Sequence, residues 1–367
     1  MQNETPLFRR YPRLRDALPW VSLGEWPTPV ERMHRLEKAH GMPALYVKRD
    51  DLSSRYYGGN KVRKLEFVLA DVAKKGCSGV MTMGAAGSNH VLATAIHGRR
   101  LGLSTTALLF DQPCAEYVRR NLLLDYHNGA RLVWTRSIPL IPLAYAKERI
   151  AARVRGERLY WLGPGGSSPT GCLGYVNAGL EIAQQVEEGL LPEPDYVVTA
   201  MGTHGTAAGL WLGLHLSGLR SRLVGVAVVE TAYCNAALWA RLANKAAALL
   251  ARLDPEIRAP KARPSDLVYI ESELGRGYAH LTSADVKAVR EARELEGLLI
   301  EGTYTGKALA AALEFGKGLG GGESVLFVNT YNSADLDSQV ADIDYRLLPK
   351  PFHRFFEMPC RALEYEM

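Results

Sequence analysis

Short apolar runs alternate along the chain with longer stretches whose apolar positions recur every three or four residues. "ALYVKRD" reads as a strand, and "NKVRKLEFVLADVAKKG" reads as an amphipathic helix that Gly76 can stop. "GVMTMG" is a short buried strand, and "NHVLATAIHGRRLG" is a helix ended by Gly102. "TTALLF", a helix over 114–127, "ARLVW", a helix over 142–155 and "RLYWL" continue the alternation. After the loop "GPGGSSPTG" come a helix over 172–188, the strand "DYVVTAM", the loop "GTHGTAAG", a further helix and the strand "RLVGVAVVE". Helices over 284–296 and 306–317 lead to the strand "SVLFVNT".

This order predicts an α/β protein with mostly parallel, twisted sheets flanked by helices. In such sheets, ligands meet the loops beyond the carboxyl ends of the strands. The loops 84–90, 163–171, 202–206 and 329–332 all take that position. No repeat of fixed period and no low-complexity stretch interrupts the pattern. The tail "PKPFHRFFEMPCRALEYEM" is irregular and aromatic and is expected to pack across the body or a partner subunit.

With 367 residues the chain is long enough for two domains, and 47% apolar with 23% charged residues places it among ordinary globular proteins. The net charge of +5 is small for this length, and the cluster Arg9, Arg10, Arg13 and Arg15 has no accompanying aromatic-basic motif. Nucleic acid is therefore not an expected partner. Five scattered cysteines without a C-x-x-C pair argue against a disulfide framework or a metal site and suit a reducing cytoplasm. The first residues lack an apolar signal core, and no apolar run is long enough to span a bilayer.

Four loops carry candidate chemistry. "AMGTHGTAAGL" follows a strand and opens a helix, so backbone N–H groups, hydroxyls and the helix dipole can meet an anion there. It is neither a dinucleotide fingerprint nor a P-loop, and on its own a tight turn capped by Thr206 would be the better explanation. "GAAGSNHVLATA" offers the Ser88 hydroxyl, the Asn89 amide and helix N–H groups as a carboxylate cradle, although capping alone would justify the same residues. The glycines of "GPGGSSPTG" permit close approach of a ligand or serve a domain crossover. In "YYGGNKVRKLEF" the glycines clear space around Lys61, which becomes an imine-forming nucleophile only if burial or nearby positive charge lowers its pKa. Lys64, three residues on, lies near the same helical face.

Together these stretches resemble the family of 1-aminocyclopropane-1-carboxylate deaminase and D-cysteine desulfhydrase. The resemblance rests on "KRDDLSSRYYGGNKVRKLEF", "GSNH", "GGSSPTGCLGYVNAGLEI", "TYTGKALAA" and "LFVNT", and runs roughly from residue 20 to residue 335. It implies the fold-type II, tryptophan-synthase-beta-like architecture. A large cofactor-binding domain would comprise 1–63 and 176–350, a small domain 64–175, and a C-terminal tail 351–367. It implies pyridoxal 5'-phosphate as cofactor, held by a Schiff base at Lys61, with the phosphate on Thr203, His204, Gly205 and Thr206. Asn89 would contact the phenolic oxygen side, and Ser88, Asn89 and His90 the substrate carboxylate. Tyr304 would lie beside the cofactor, with Tyr278 of "GRGYAHL" as a second active-site tyrosine, and Thr330 would bond the pyridine nitrogen.

The implied activity is that of a lyase or deaminase taking a small amino acid to a 2-oxo acid and ammonia, by elimination or ring opening. Lys61, Ser88, Tyr304 and Tyr278 would be the catalytic groups, in a cytoplasmic homodimer. A racemase, a β-replacement enzyme and a catalytically silent cofactor carrier stay open on the same scaffold, and the Gly-rich loops alone also fit a nucleotide-binding protein. The chain departs from the family's pattern at Val62, His204, Glu301-Gly302-Thr303 and Tyr331-Asn332. Tyr331 would narrow the pocket for the substrate side chain.

Overall fold

The computed structural model describes residues 4–360. Its strands are Val30–Arg32 (β1), Ala44–Lys48 (β2), Gly79–Ala85 (β3), Ser104–Phe110 (β4), Arg131–Arg136 (β5), Leu159–Leu162 (β6), Tyr196–Met201 (β7), Arg222–Ala227 (β8), Leu267–Ile270 (β9) and Ser324–Val328 (β10). The chain divides into two compact units, Met1–Phe67 with Ser167–Ser333 and Val68–Gly166 with Ala334–Met367.

The first unit holds a six-stranded sheet in the order β1-β2-β10-β7-β8-β9. Only β1 runs antiparallel to its neighbour. Every residue of β10 is buried, and Val325 pairs with Leu45 on one side and Tyr196 on the other. A parallel strand covered on both faces has no solvent side, which is why "SVLFV" is a continuous run rather than an alternation. The helix Pro169–Glu187 starts three residues before the sequence pattern suggested, because Ser168 caps it by accepting the Gly171 N–H at 3.0 Å. It crosses the helix Gly205–Ser217 where Gly179 meets Gly213, and a Cβ at 179 would stand 2.7 Å from the Gly213 carbonyl carbon. No side chain fits at that crossing.

The helix Asn60–Lys74 buries Val62, Leu65, Leu69 and Val72 and is fixed in the first unit by Arg63. The guanidinium lies 3.9 Å over the Trp26 ring and grips Asp50 (2.8 and 2.9 Å) and Glu181 (2.9 and 3.1 Å). Lys48 Nζ donates to Glu181 at 2.6 Å, and the Tyr175 hydroxyl donates to Asp50 at 2.7 Å. The two cations and two carboxylates balance, so no buried charge is left uncompensated. Burial alone would raise the Glu181 carboxyl, but Arg63 and Lys48 bring it down to about 2.

The second unit carries an all-parallel sheet in the order β5-β4-β3-β6. Helices Asn89–Arg100 and Glu116–His127 contribute Val91, Ala95, Val118 and Leu122 to its core. Leu348, Phe352 and Phe355 join that cluster, and Trp134 meets the two phenyl rings edge to face at 5.5 and 5.9 Å. Burying each phenyl ring contributes about 1.5–3 kcal/mol. This packing groups 334–350 with the second unit rather than with a large domain reaching 350, and the described part of the expected tail, 351–360, is integral to the same core. Residues 361–367 lie outside the described residues. The helix Ala236–Leu253, β1 and β9 had no counterpart in the sequence pattern as read above.

Candidate active site

The turn before Lys61 is held from several sides. Gly59, with φ +84°, donates to the Asp50 carbonyl at 2.9 Å, and a Cβ there would stand 2.5 Å from the Tyr331 oxygen. Only glycine fits this approach. Asn60 then bridges outward. Its N–H reaches the Thr330 carbonyl at 3.2 Å, its amide donates to the Thr206 hydroxyl at 3.0 Å, and its Oδ1 accepts from Lys61 Nζ at 2.7 Å. Lys61 is half-buried in the first turn of its helix. Desolvation, aided by the Lys64 charge and opposed by Glu301, lowers its amine to about 7. The sequence asked for a deprotonable lysine, and burial is the main means of making it one; Arg63 is committed to Asp50 and Glu181 instead.

The phosphate-loop candidates assemble at the start of the Gly205–Ser217 helix, whose first N–H groups have no intrahelical acceptor. The Thr203 and Ser167 hydroxyls are 2.7 Å apart, and the Gly205 N–H reaches Ser167 Oγ at 3.2 Å. A Cβ at Gly205 would lie 2.5 Å from Ser167 Oγ and 3.1 Å from Lys64 Nζ. The Lys64 ammonium therefore sits at this loop, its pKa lowered to about 8 by burial. His204 takes a left-handed φ of 66°, and its Nε2 accepts from the Asn235 N–H at 3.3 Å. Burial brings its imidazole down to about 4, so the ring is neutral at pH 7. The residue shapes the loop with its backbone rather than adding positive charge.

Tyr278 and Tyr304 share a 2.8 Å hydrogen bond between their hydroxyls, with the rings edge to face at 6.0 Å. Burial, reinforced by Tyr304, pushes the Tyr278 phenol well above its ordinary value. The Tyr304 ring edge lies 4.0 Å from where a Cβ on Gly202 would stand, which puts it beside the phosphate loop. Tyr304 belongs to a π-helical turn, Gly302–Gly306, ahead of the Lys307–Lys317 helix. Such wide turns gather at functional sites. Thr330 lies two residues beyond the end of β10, half-buried, and Tyr331 follows with its N–H on Asn329 Oδ1 at 3.3 Å.

The Ser88-Asn89-His90 group belongs to the second unit. Ser88 caps the Asn89–Arg100 helix, and Asn89 Oδ1 accepts from the Asn121 amide at 3.0 Å. The His90 ring is buried, with Nε2 3.0 Å from the Thr82 hydroxyl. Sequence reasoning did not single out Ser167 or the placing of the Lys64 ammonium at the Gly205 loop, and it marked Glu301 only as a departure from the family's pattern. The Gly-rich "GPGGSSPTG" was the signal for Ser167.

These donors suit a phosphorylated aldehyde. Hydroxyls, helix N–H groups and an ammonium converge on a glycine whose missing side chain leaves the cradle open, and a deprotonable lysine is tied to the same loop through Asn60 and Thr206.

The profile of the family described as pyridoxal-phosphate dependent enzymes matches residues 21–330, and the chain belongs to that family. It is 34% identical, over 88% of its length and 92% of the relative's, to a putative 1-aminocyclopropane-1-carboxylate deaminase of Pyrococcus abyssi. It is 36% identical to the D-cysteine desulfhydrase of Klebsiella pneumoniae, over 86% of this chain and 90% of that one. Among solved structures, an ACC deaminase homologue superposes with a TM-score of 0.75 at 32% identity, covering 89% of this chain and 95% of that one. The fold is thus fold-type II and the cofactor pyridoxal phosphate. Among the described residues no helix is long and apolar enough to cross a membrane.

Proposed function

We propose that this chain eliminates a leaving group from, or opens a small ring in, a small amino acid, giving a 2-oxo acid and ammonia. The reading is supported above all by Lys61, an amine with a pKa near 7 bridged through Asn60 to the phosphate loop. Pyridoxal phosphate, when bound, supplies the electron-withdrawing ring that makes the substrate α-proton removable. Lys61 would be its attachment point, and Ser167, Thr203, Gly205, Thr206 and Lys64 would hold its phosphate. Thr330 would offer the ring nitrogen a neutral hydroxyl. Ser88, Asn89 and the N–H of His90 bind the substrate carboxylate, and Tyr331 limits the side chain.

In the elimination, the Cα–H bond breaks and its electron pair forms the Cα=Cβ bond as the leaving group departs from Cβ. Lys61 takes the proton, and the Tyr278–Tyr304 hydroxyl pair protonates the leaving group. Water then converts the released enamine to the 2-oxo acid and ammonia. The reading extends to a cytoplasmic homodimer with no nucleic-acid partner; the free thiols of all five cysteines suit a reducing compartment.

Borohydride reduction followed by peptide mapping is expected to find the pyridoxyl group on Lys61, and Lys61→Ala to abolish attachment. Finding it on Lys64 would overturn the assignment. Incubation of the holoenzyme with small D- and L-amino acids is expected to release ammonia and a 2-oxo acid from at least one. Interconversion of enantiomers without ammonia would make it a racemase, and no change in any amino acid would make it a silent carrier.

A further inference from the structure

The helix Ile141–Val154 of the second unit turns Ile141, Glu148 and Ala152 inward, and Ile141 packs there with Met81 and Leu108. At about 100° per residue these three share one side. The opposite side carries Leu143, Ile150 and Val154, which are 71, 65 and 84% exposed. A surface helix ordinarily presents charges at that pole. Here large apolar side chains occupy it and the charges flank it, Lys147 along one edge and Arg149 and Arg153 along the other, all exposed. The one acidic residue of the helix, Glu148, is buried and accepts from Arg131 at 2.8 Å. Beside the C-terminal half of the helix, Arg149, Arg153 and Arg158 line a cavity of about 580 Å³. Glu157 lines it too, but both its oxygens accept from Arg155 at 2.9 Å. Arg149 donates to the Tyr145 hydroxyl. Among the described residues, Lys147, Arg149, Arg153 and Arg158 have no ion-pair partner.

We propose that this face docks an acidic amphipathic helix of a partner protein. The partner's apolar side lies on Leu143, Ile150 and Val154, its carboxylates meet Lys147, Arg149 and Arg153, and one acidic side chain enters the cavity. Charge complementarity selects this occupant. A second copy of the chain, paired through the same face, would set cation against cation along both edges. A lipid surface would satisfy the cations but leave the cavity unfilled. The stripe from Leu143 to Val154 is about 16 Å long, so the contact is small and belongs with transient complexes.

The probe is a labelled synthetic helix with leucines at every third or fourth position and glutamates on both flanks, titrated with the holoenzyme and read by fluorescence anisotropy. It is expected to bind at least about 10-fold tighter than the same helix with glutamines in place of the glutamates, and to weaken as salt rises. Ile150→Asp and Arg153→Glu are each expected to lower its affinity at least about 10-fold. Both side chains are exposed, so both variants should fold; if Ile150→Asp does not, Leu143→Gln takes its place. Equal binding of the two peptides, or undiminished binding in either variant, overturns the proposal. Sedimentation of the protein alone supplies a further arm: self-association that Ile150→Asp abolishes would make the face a contact between copies and overturn it. Co-sedimentation with vesicles of equal parts phosphatidylserine and phosphatidylcholine, abolished by Ile150→Asp while the acidic helix fails to bind, would make it a membrane contact and overturn it too.

Discussion

Asn332 accepts the backbone N–H of Gly58 through its side-chain oxygen at 2.6 Å. Two residues further on, the Asn60 N–H reaches the Thr330 carbonyl. The turn that presents Lys61 is thereby zipped to the segment following β10. A glycine at 332 would have no side chain with which to make this bond.

Asn332→Gly should therefore leave the buried Gly58 N–H without its acceptor and cost about 1–3 kcal/mol. Urea unfolding of the two proteins reads this directly. A loss under about 0.5 kcal/mol would mean that water or a neighbouring group replaces the amide.

Lys64→Met should weaken cofactor retention by about 10- to 150-fold, the worth of one charge-assisted hydrogen bond to a phosphate. It should also raise the Lys61 pKa above its present value of about 7, since Lys64 now pushes it down. Equilibrium dialysis and the pH dependence of cofactor attachment give the two readouts. Unaltered retention would place the phosphate away from Lys64.

Ser88→Ala and Tyr304→Phe should each cut turnover by about 100- to 10,000-fold and leave the cofactor bound, because each removes a hydroxyl and no anchor. Steady-state assays and absorbance spectra distinguish the two effects. Near-normal rates in both variants would assign all proton transfer to Lys61.

Acid stability should depend on Glu181. Its folded pKa of about 2 lies below the ordinary 4.5, so between these values the unfolded chain binds the extra proton. Its stabilising contribution is present above about pH 4.5 and is lost as pH falls toward 2. Glu181→Gln should flatten that part of the stability profile and also lower stability at neutral pH, where Arg63 and Lys48 lose a counter-charge. Urea midpoints measured across the pH range test it; an unchanged slope in the variant would show that Glu181 does not carry the effect.

The architecture was legible because it is written locally. The strand–loop–helix order, the glycines around Lys61 and the hydroxyl-bearing helix starts are all short-range patterns. What escaped depends on distant partners. Ser167 reaches Thr203 only after the fold brings two loops together. The resemblance names His90 as a carboxylate contact, and only the fold shows its ring beside Thr82 on β3. Glu301 looked like a departure from the family's pattern, and its meaning lies in three backbone donors that no spacing rule points to. The placement of 334–360 depends on Phe352 and Phe355 finding Trp134, which an irregular aromatic stretch does not announce. The Ala236–Leu253 helix was readable in principle, since Asn235 caps it and Trp239, Ala243, Ala246 and Leu250 mark its buried side.

The wide turn at Gly302–Gly306 also bears on how this sequence can be inherited. A π-helical turn winds about one residue more into each turn than the α-helix that follows it. Loss of a single codon within it would let the regular helix run backward through the gap and rotate the preceding residues by about 100°. Tyr304 would swing off Tyr278 in one event, with no milder version for selection to refine. Descendant genes should accordingly vary in which residues fill these five positions far more freely than in how many there are.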